Sequence, residues 1–171
     1  MEKHVLSALV RNSSGVLSRV SGLFSRRGYN IDSFTAGITD DPSFSRMTIT
    51  LTTDDDGLEQ VKKQFEKLED VIRVISFKAN ECVYRELVLI KVRANAENRA
   101  AINEIVSIFR SKIIDLSPDT LTIELTGDEE KITALIKLME EYGIEELVRT
   151  GVTALQRGGK TINNSVDNFN L

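Results

Sequence analysis

The order in which apolar residues recur constrains this chain more than any other feature, because it describes one series of strands and helices twice. An apolar run at residues 5–10 predicts a strand. The spacing of Val16, Val20 and Leu23 then predicts a helix, and residues 31–38 form a second extended stretch. The first half of the chain therefore begins with a strand, a helix and a strand.

The clearest strand follows at residues 46–52, where apolar and polar side chains alternate. This period of two is typical of a sheet with one buried face and one face in water. The aspartates at 54–56 provide caps for a helix over residues 58–68, and a strand at 71–77 ends the series. The predicted order is βαββαβ.

The second half of the chain repeats this order. Its helices have apolar residues at helical spacing, and Gly143 ends the second of them. The predicted strands lie at 87–92, 112–116, 121–125 and 144–152, and the predicted helices around 102–109 and 132–139.

Right-handed crossovers in such an order give a four-stranded antiparallel sheet with both helices on one face. The predicted fold class is therefore α+β, with two tandem ferredoxin-like βαββαβ domains. The predicted boundaries are a first domain at 1–78, a linker at 79–84, a second domain at 85–157 and a flexible tail at 158–171.

One face of each predicted sheet has no helix to cover it. With Met47 or Thr48 facing outward, this face or the sheet edge offers a surface for a second copy of the chain. Self-association is therefore expected.

Composition excludes several classes of protein. The chain has 171 residues, 41% of them hydrophobic, and a net charge of −4, so neither nucleic acid nor an anionic membrane is an expected partner. Cys82 is the single cysteine, which excludes an internal disulfide and a CxxC motif. With no signal peptide or membrane span recognisable, we expect a cytoplasmic protein.

Residues suited to catalysis or metal binding are few. His4 is the single histidine and is expected to be structural, and Cys82 is expected to be an inert thiol. The aspartates at 54–56 lack the spacing of a calcium loop, and residues 159–161 lack the rest of a P-loop. Neither a catalytic residue nor a metal site is expected.

The loop at residues 12–15 is the best candidate for a ligand site. It joins the first strand to the first helix, so free backbone N–H groups at the helix N-terminus can bind an anion. Gly15 lets a carboxylate approach the main chain, Asn12 adds an amide, and Asn30 adds another where the chain returns. The alternative is that Ser13 or Ser14 only caps the helix, and the loop alone does not decide between the two.

The segment from Asn12 to Ile31, with the sequence NSSGVLSRVSGLFSRRGYNI, resembles the N-terminal ACT domain of the acetohydroxyacid synthase (acetolactate synthase) small subunit. The pieces TDDP at 39–42 and SRMT at 45–48 match the next signature of that family. The second half is similar as well, in FRSKIID at 109–115 followed by a Ser-Pro turn. The resemblance covers nearly the whole chain.

This resemblance implies that the first domain is an ACT domain and that the chain is a non-catalytic regulatory subunit. Members of the family bind the thiamine-diphosphate-dependent catalytic large subunit, activate it and confer feedback inhibition by valine in branched-chain amino acid synthesis. Thiamine diphosphate, Mg and FAD are then expected only in the catalytic subunit. A homodimer through the ACT domains is also implied, with valine or a related amino acid between two of them.

By position, the resemblance assigns effector contacts to six residues. The second module has no glycine in the matching loop at 94–98, so no second amino-acid site is expected there. The six expected effector-binding residues are Asn12, Gly15, Val16, Leu17, Asn30 and Ile31.

Three other functions remain as alternatives. A free-standing ACT-domain sensor would regulate another partner. An acylphosphatase-like enzyme would use Arg11 and Asn30, but its glycine-rich loop is missing. An RNA-binding module of the RRM type would need aromatic residues in the strand at 46–52, which has none.

Overall fold

The computed structural model describes residues 1–77 and 81–162. The chain forms two compact units, one of Met1–Val83 with the residues from Val152 onward and one of Tyr84–Gly151. Each unit contains a sheet with the predicted βαββαβ order, so the expected fold class is confirmed.

The first unit has four main strands in the spatial order β2-β3-β1-β4. Neighbouring strands are antiparallel, which places β2 and β4 at the sheet edges. The elements are β1 (Glu2–Arg11), α1 (Val16–Arg27), β2 (Ile31–Ile38), β3 (Phe44–Thr53), α2 (Asp55–Phe65) and β4 (Val71–Ser76).

Local signals set the ends of both helices of this unit. Gly28 has φ 70° and ends α1 in the left-handed conformation that glycine adopts without strain. Asp54 precedes α2, and its carboxylate accepts a hydrogen bond from the Gly57 N–H at 2.8 Å. The predicted capping role of the aspartate run is confirmed at Asp54.

Alternating residues of β1 and β3 face both helices and form the core of the first unit. Phe24 of α1 and Phe65 of α2 meet edge to face, with ring centroids 5.7 Å apart. The fully buried residues of this core include Leu6, Ala8, Val10, Val20, Ile49, Leu51 and Phe65.

The second unit repeats this architecture, with strand order β6-β7-β5-β8. No helix in the described parts of either unit is long and apolar enough to span a membrane. The elements are β5 (Cys82–Arg93), α3 (Arg99–Ile108), β6 (Lys112–Leu116), β7 (Thr120–Gly127), α4 (Glu129–Met139), a single 3₁₀ turn (Glu140–Tyr142) and β8 (Ile144–Arg149). The strand β9 (Thr153–Gln156) pairs with β5, and its residues belong to the first unit.

The predicted last strand at 144–152 is too long. β8 stops at Arg149, because Gly151 adopts φ 85° and turns the chain out of the strand. The following residues then form the separate strand β9.

The centre of the outer face of the first sheet is buried, so the expectation that this face is bare is wrong there. Ser7, Thr48 and Thr50 lie on this face and are 0%, 4% and 0% exposed, whereas Met47 faces the helices. Residues 152–162 of the same chain, which we call the covering segment, contact this face through Val152 and Ala154. The surface expected to be bare at Met47 or Thr48 is therefore covered by the chain itself, and self-association stays a prediction.

The two units differ from the boundaries that the pattern predicts. Residues 152–157, expected in the second domain, pack with the first unit, and residues 82–84 of the expected linker belong to β5. Ile162, in the expected flexible tail, is 3% exposed. The expectations for residues 79–80 and 163–171 lie outside the described residues.

Candidate functional site

The loop between β1 and α1 leaves several backbone donors open. Gly15 is the N-cap of α1 with φ 84° and ψ −8°, and no side chain caps the helix. Among the described residues, none accepts a hydrogen bond from the backbone N–H of Ser14, Gly15, Leu17 or Ser18. These donors lie at the positive end of the helix dipole, so the loop can bind an anionic group such as a carboxylate.

Asn12 fixes the shape of this loop. Its backbone N–H donates to the Ser43 carbonyl at 2.7 Å, and its side-chain amide donates to the Pro42 carbonyl at 2.9 Å. Both acceptors lie in the connection between β2 and β3. Asn12 therefore ties the loop to that connection, and one N–H and the carbonyl oxygen of its amide can still contact a ligand.

Two charged residues beside the loop were not among the expected site residues. Arg19 forms an ion pair with Asp70, and its Nε lies 2.7 Å from Asp70 Oδ2. The Ser13 hydroxyl donates to the other oxygen of the same carboxylate at 3.2 Å. A Cβ on Gly15 would lie 3.0 Å from Arg19 Nη1, so the guanidinium borders the loop.

Val16 and Leu17 have different environments. The Val16 side chain is 4% exposed and belongs to the core, so its side chain is not free to contact a ligand. Leu17 is 53% exposed. Leu17 is therefore the more exposed apolar side chain at this end of α1, and the effector contact assigned to Val16 stays a prediction.

Asn30 and Ile31 lie at the opposite end of α1. The helix has 12 residues, which at 1.5 Å per residue separates its ends by about 18 Å. Asn30 is exposed, while Ile31 packs partly against the core. One chain therefore does not bring all six predicted residues around one small ligand.

The matching loop of the second unit has side-chain acceptors for some of its own backbone N–H groups. Equivalent main-chain hydrogen bonds show that Ala94 corresponds to Asn12. The Asn12 N–H donates to the Ser43 carbonyl just before β3, and the Ala94 N–H donates to the Asp119 carbonyl just before β7. Here the Asn95 side chain accepts from the N–H groups of Glu97 and Asn98. Asn98 in turn accepts from the Asn95 N–H, so side chains of this loop take up three of its backbone donors, which no side chain does at the start of α1. That the second module lacks an amino-acid site stays a prediction.

The residues considered for other chemistry lie apart. His4 Nε2 is 3.2 Å from the Thr53 carbonyl oxygen on the neighbouring strand, and Cys82 is buried. Arg11 and Asn30, required by the acylphosphatase alternative, lie near opposite ends of α1. The geometry gives no support to that alternative.

Fold and loop together define a class: a chain with an N-terminal ACT domain, whose β1–α1 loop is open, followed by a second ferredoxin-like module. Residues 6–73 match the family model of the AHAS small subunit-like ACT domain. Residues 85–158 match the model of the small subunit of acetolactate synthase.

Individual relatives agree with these models. The acetolactate synthase small subunit of Mycolicibacterium smegmatis is 48% identical over 159 residues, covering 93% of this chain and 94% of the relative. That of Haemophilus influenzae is 46% identical, covering 94% and 99%. The crystal structure of the Thermotoga maritima small subunit has a TM-score of 0.87 and 41% identity, and covers 94% of this chain and 100% of that one. The chain belongs to the family of acetolactate synthase small subunits.

Proposed function

We propose that this chain is the regulatory subunit of an acetolactate synthase, that it binds valine at its ACT domain, and that it activates a catalytic large subunit and makes it sensitive to feedback inhibition. The chain itself is non-catalytic in this proposal. Thiamine diphosphate, Mg and FAD belong to the large subunit.

The open donors around Gly15 carry the proposal. A free amino acid has a carboxylate, which suits the N–H groups of Ser14, Gly15, Leu17 and Ser18. The exposed Leu17 side chain supplies an apolar contact for an isopropyl group. Arg19 adds positive charge at the same place, reduced by its pairing with Asp70.

The ligand's ammonium group requires a second copy of the chain. Asn30 lies about 18 Å from the loop within one chain, a distance that no single valine spans. In a two-fold dimer with antiparallel α1 helices, Asn30 of the second copy would lie beside the loop of the first. The edge strand β2 suits this pairing, because among the described residues it pairs only with β3.

Calorimetry with valine, leucine and isoleucine tests the ligand. Gly15→Asp should abolish the heat with valine, because its carboxylate repels that of the ligand and because φ 84° strains any residue with a Cβ. The variant should still bind the catalytic subunit. Loss of subunit association in Gly15→Asp would contradict this separation of roles.

Gly143→Ala is the matched control for backbone strain. Gly143 has the same φ of 84° and only ordinary contacts with Arg93 at 3.5 Å or more, and it lies in the second unit. We expect this variant to keep the heat with valine. No heat with any of the three amino acids in the wild-type protein would refute the ligand proposal.

A free-standing ACT sensor is the alternative that needs its own experiment. Adding the chain to the catalytic subunit of the same organism should raise acetolactate synthesis, and valine should then lower it. Failure of the two proteins to co-purify, together with an unchanged rate, would favour the free-standing sensor.

A further inference from the structure

The covering segment is held on the first sheet by side chains of the sheet rather than by a strand ladder with it. The Thr35 hydroxyl donates to the Val152 carbonyl at 3.1 Å, and the Val152 N–H donates to Ser33 Oγ at 3.4 Å. Arg46 Nη2 donates to the Ala154 carbonyl at 3.4 Å. Three side chains on two neighbouring strands therefore hold the first residues of the segment.

The face beneath the segment is polar. Ser7 Oγ accepts from Arg46 Nε at 2.8 Å, and Ser33 Oγ lies 2.7 Å from Thr50 Oγ1. Burial lowers the pKa of Arg46, and no carboxylate in the described parts of the chain forms an ion pair with it. Hydroxyl and guanidinium groups are readily hydrated, so this face tolerates partial release of the segment better than an apolar face would.

The segment is connected to the proposed effector site through β2. Ser33 and Thr35 follow Asn30 by three and five residues on the same edge strand. A shift of β2 that accompanies ligand contact at Asn30 therefore moves the two hydroxyl groups that hold Val152.

The other end of this connection is fixed in the second unit. Val152 directly follows Gly151, whose N–H donates to Glu86 Oε1 at 3.2 Å. Glu86 is 5% exposed and also accepts from Arg149 Nε at 3.0 Å, an interaction that raises the pKa of Arg149. The residue that precedes the covering segment is thus hydrogen-bonded to the buried carboxylate of an ion pair in the second unit.

We propose that the covering segment transmits effector binding from the ACT domain to the second module, with Thr35 and Ser33 as the residues that position it. This inference rests on the proposed function. Effector binding changes the strength of the contacts at Val152, and the change reaches the second unit through Gly151 and the Glu86–Arg149 pair. Regulation of this kind requires that the effector bind the two states of the segment with different affinity.

Thr35→Val tests the proposal, because it removes the hydroxyl and keeps the shape of the side chain. Hydrogen exchange of residues 152–156 should be at least fivefold faster in the variant than in the wild-type protein. The affinity for valine, measured by calorimetry, should stay within about threefold of the wild-type value, since Thr35 is not a proposed ligand contact. Inhibition of the catalytic subunit should need at least tenfold more valine.

Thr52→Val is the matched control, because Thr52 lies on the same sheet and its hydroxyl donates to Asp32 instead of the segment, at 2.9 Å. Thr52→Val should change neither the hydrogen exchange of residues 152–156 nor the inhibition of the catalytic subunit by valine. The proposal would be overturned if Thr35→Val left the hydrogen exchange of residues 152–156 unchanged. It would also be overturned if that exchange became faster while valine inhibited the catalytic subunit as in the wild type, or if the variant no longer bound valine. Absence of heat in the wild-type protein would instead contradict the proposed function, and the exchange comparison would still show whether Thr35 holds the segment.

Discussion

At the scale of single residues, some positions of the candidate ligand-binding loop can be recognised from the sequence and others cannot. Gly15 and Asn12 are recognisable because they stand between a strand and a helix, where ligand-binding loops occur. The Arg19–Asp70 pair is not recognisable, since 51 positions separate two residues that also suit any exposed helix or turn. The buried state of Val16 was hidden for a related reason, because an apolar residue at the start of a helix can point to the core or to a ligand.

Arg19→Met tests the contribution of this pair. We expect valine affinity to fall roughly fivefold, equal to about 1 kcal/mol, because the loop loses a nearby cation and Asp70 is left unneutralised. Stability should change by only about 0.5 kcal/mol, since the Arg19 side chain is 49% exposed and solvent screens the pair. Calorimetry at low and high salt measures the first effect, and urea unfolding the second.

Lys63→Met provides the control, as Lys63 is an exposed cation on α2. Equal loss of affinity in both variants would show that net charge, and not the position of Arg19, determines binding.

At the scale of helices and strands, local rules explain most of what the sequence predicted. β2 and β6 have the predicted bounds, and Gly28 caps the end of α1 with φ 70°. The end of β8 was mispredicted because the apolar pattern continues through Val152, whereas the backbone turns at Gly151. A positive φ at a glycine is permitted by the sequence but not required by it.

The two modules also share a device for starting their second helices. Asp54 accepts from Gly57 N–H at 2.8 Å, and Asp128 accepts from Lys131 N–H at 2.9 Å. Asp54→Ala and Asp128→Ala should each destabilise by about 1 kcal/mol, the usual effect of losing an N-cap. Hydrogen exchange resolved by segment should place each loss in its own unit. A loss spread equally over both units in either variant would mean that the units unfold together.

At the scale of the whole molecule, the repeat of βαββαβ was predictable and the route of the covering segment was not. Periodicity reports which side of a strand is apolar, but Ser7, Thr48 and Thr50 are polar residues buried by a segment about a hundred positions away. The segment itself contains Gly158 and Gly159 and lacks a long apolar run, which is why composition favoured a mobile tail.

With that face covered, the edge at β2 is the surface that remains for the proposed dimer. Ile38 lies on β2 and is 66% exposed, so Ile38→Lys should leave the fold of the monomer intact. A lysine at this edge would place an uncompensated charge against the β2 edge of the second copy, and we expect the dissociation constant to rise at least tenfold in sedimentation experiments. Ile108→Lys, on α3 at a residue that is 71% exposed, should not change it. Equal dissociation constants for wild-type and Ile38→Lys proteins would place the contact elsewhere.

The first unit is built from two stretches of chain that are far apart in sequence, so they are synthesised at different times. Residues 1–83 leave the ribosome well before residues 152–162, and the whole second unit is made between them. During that interval the sheet of the first unit has its helices but not its outer cover. The first unit is therefore the first part of this molecule to begin folding and the last to be completed.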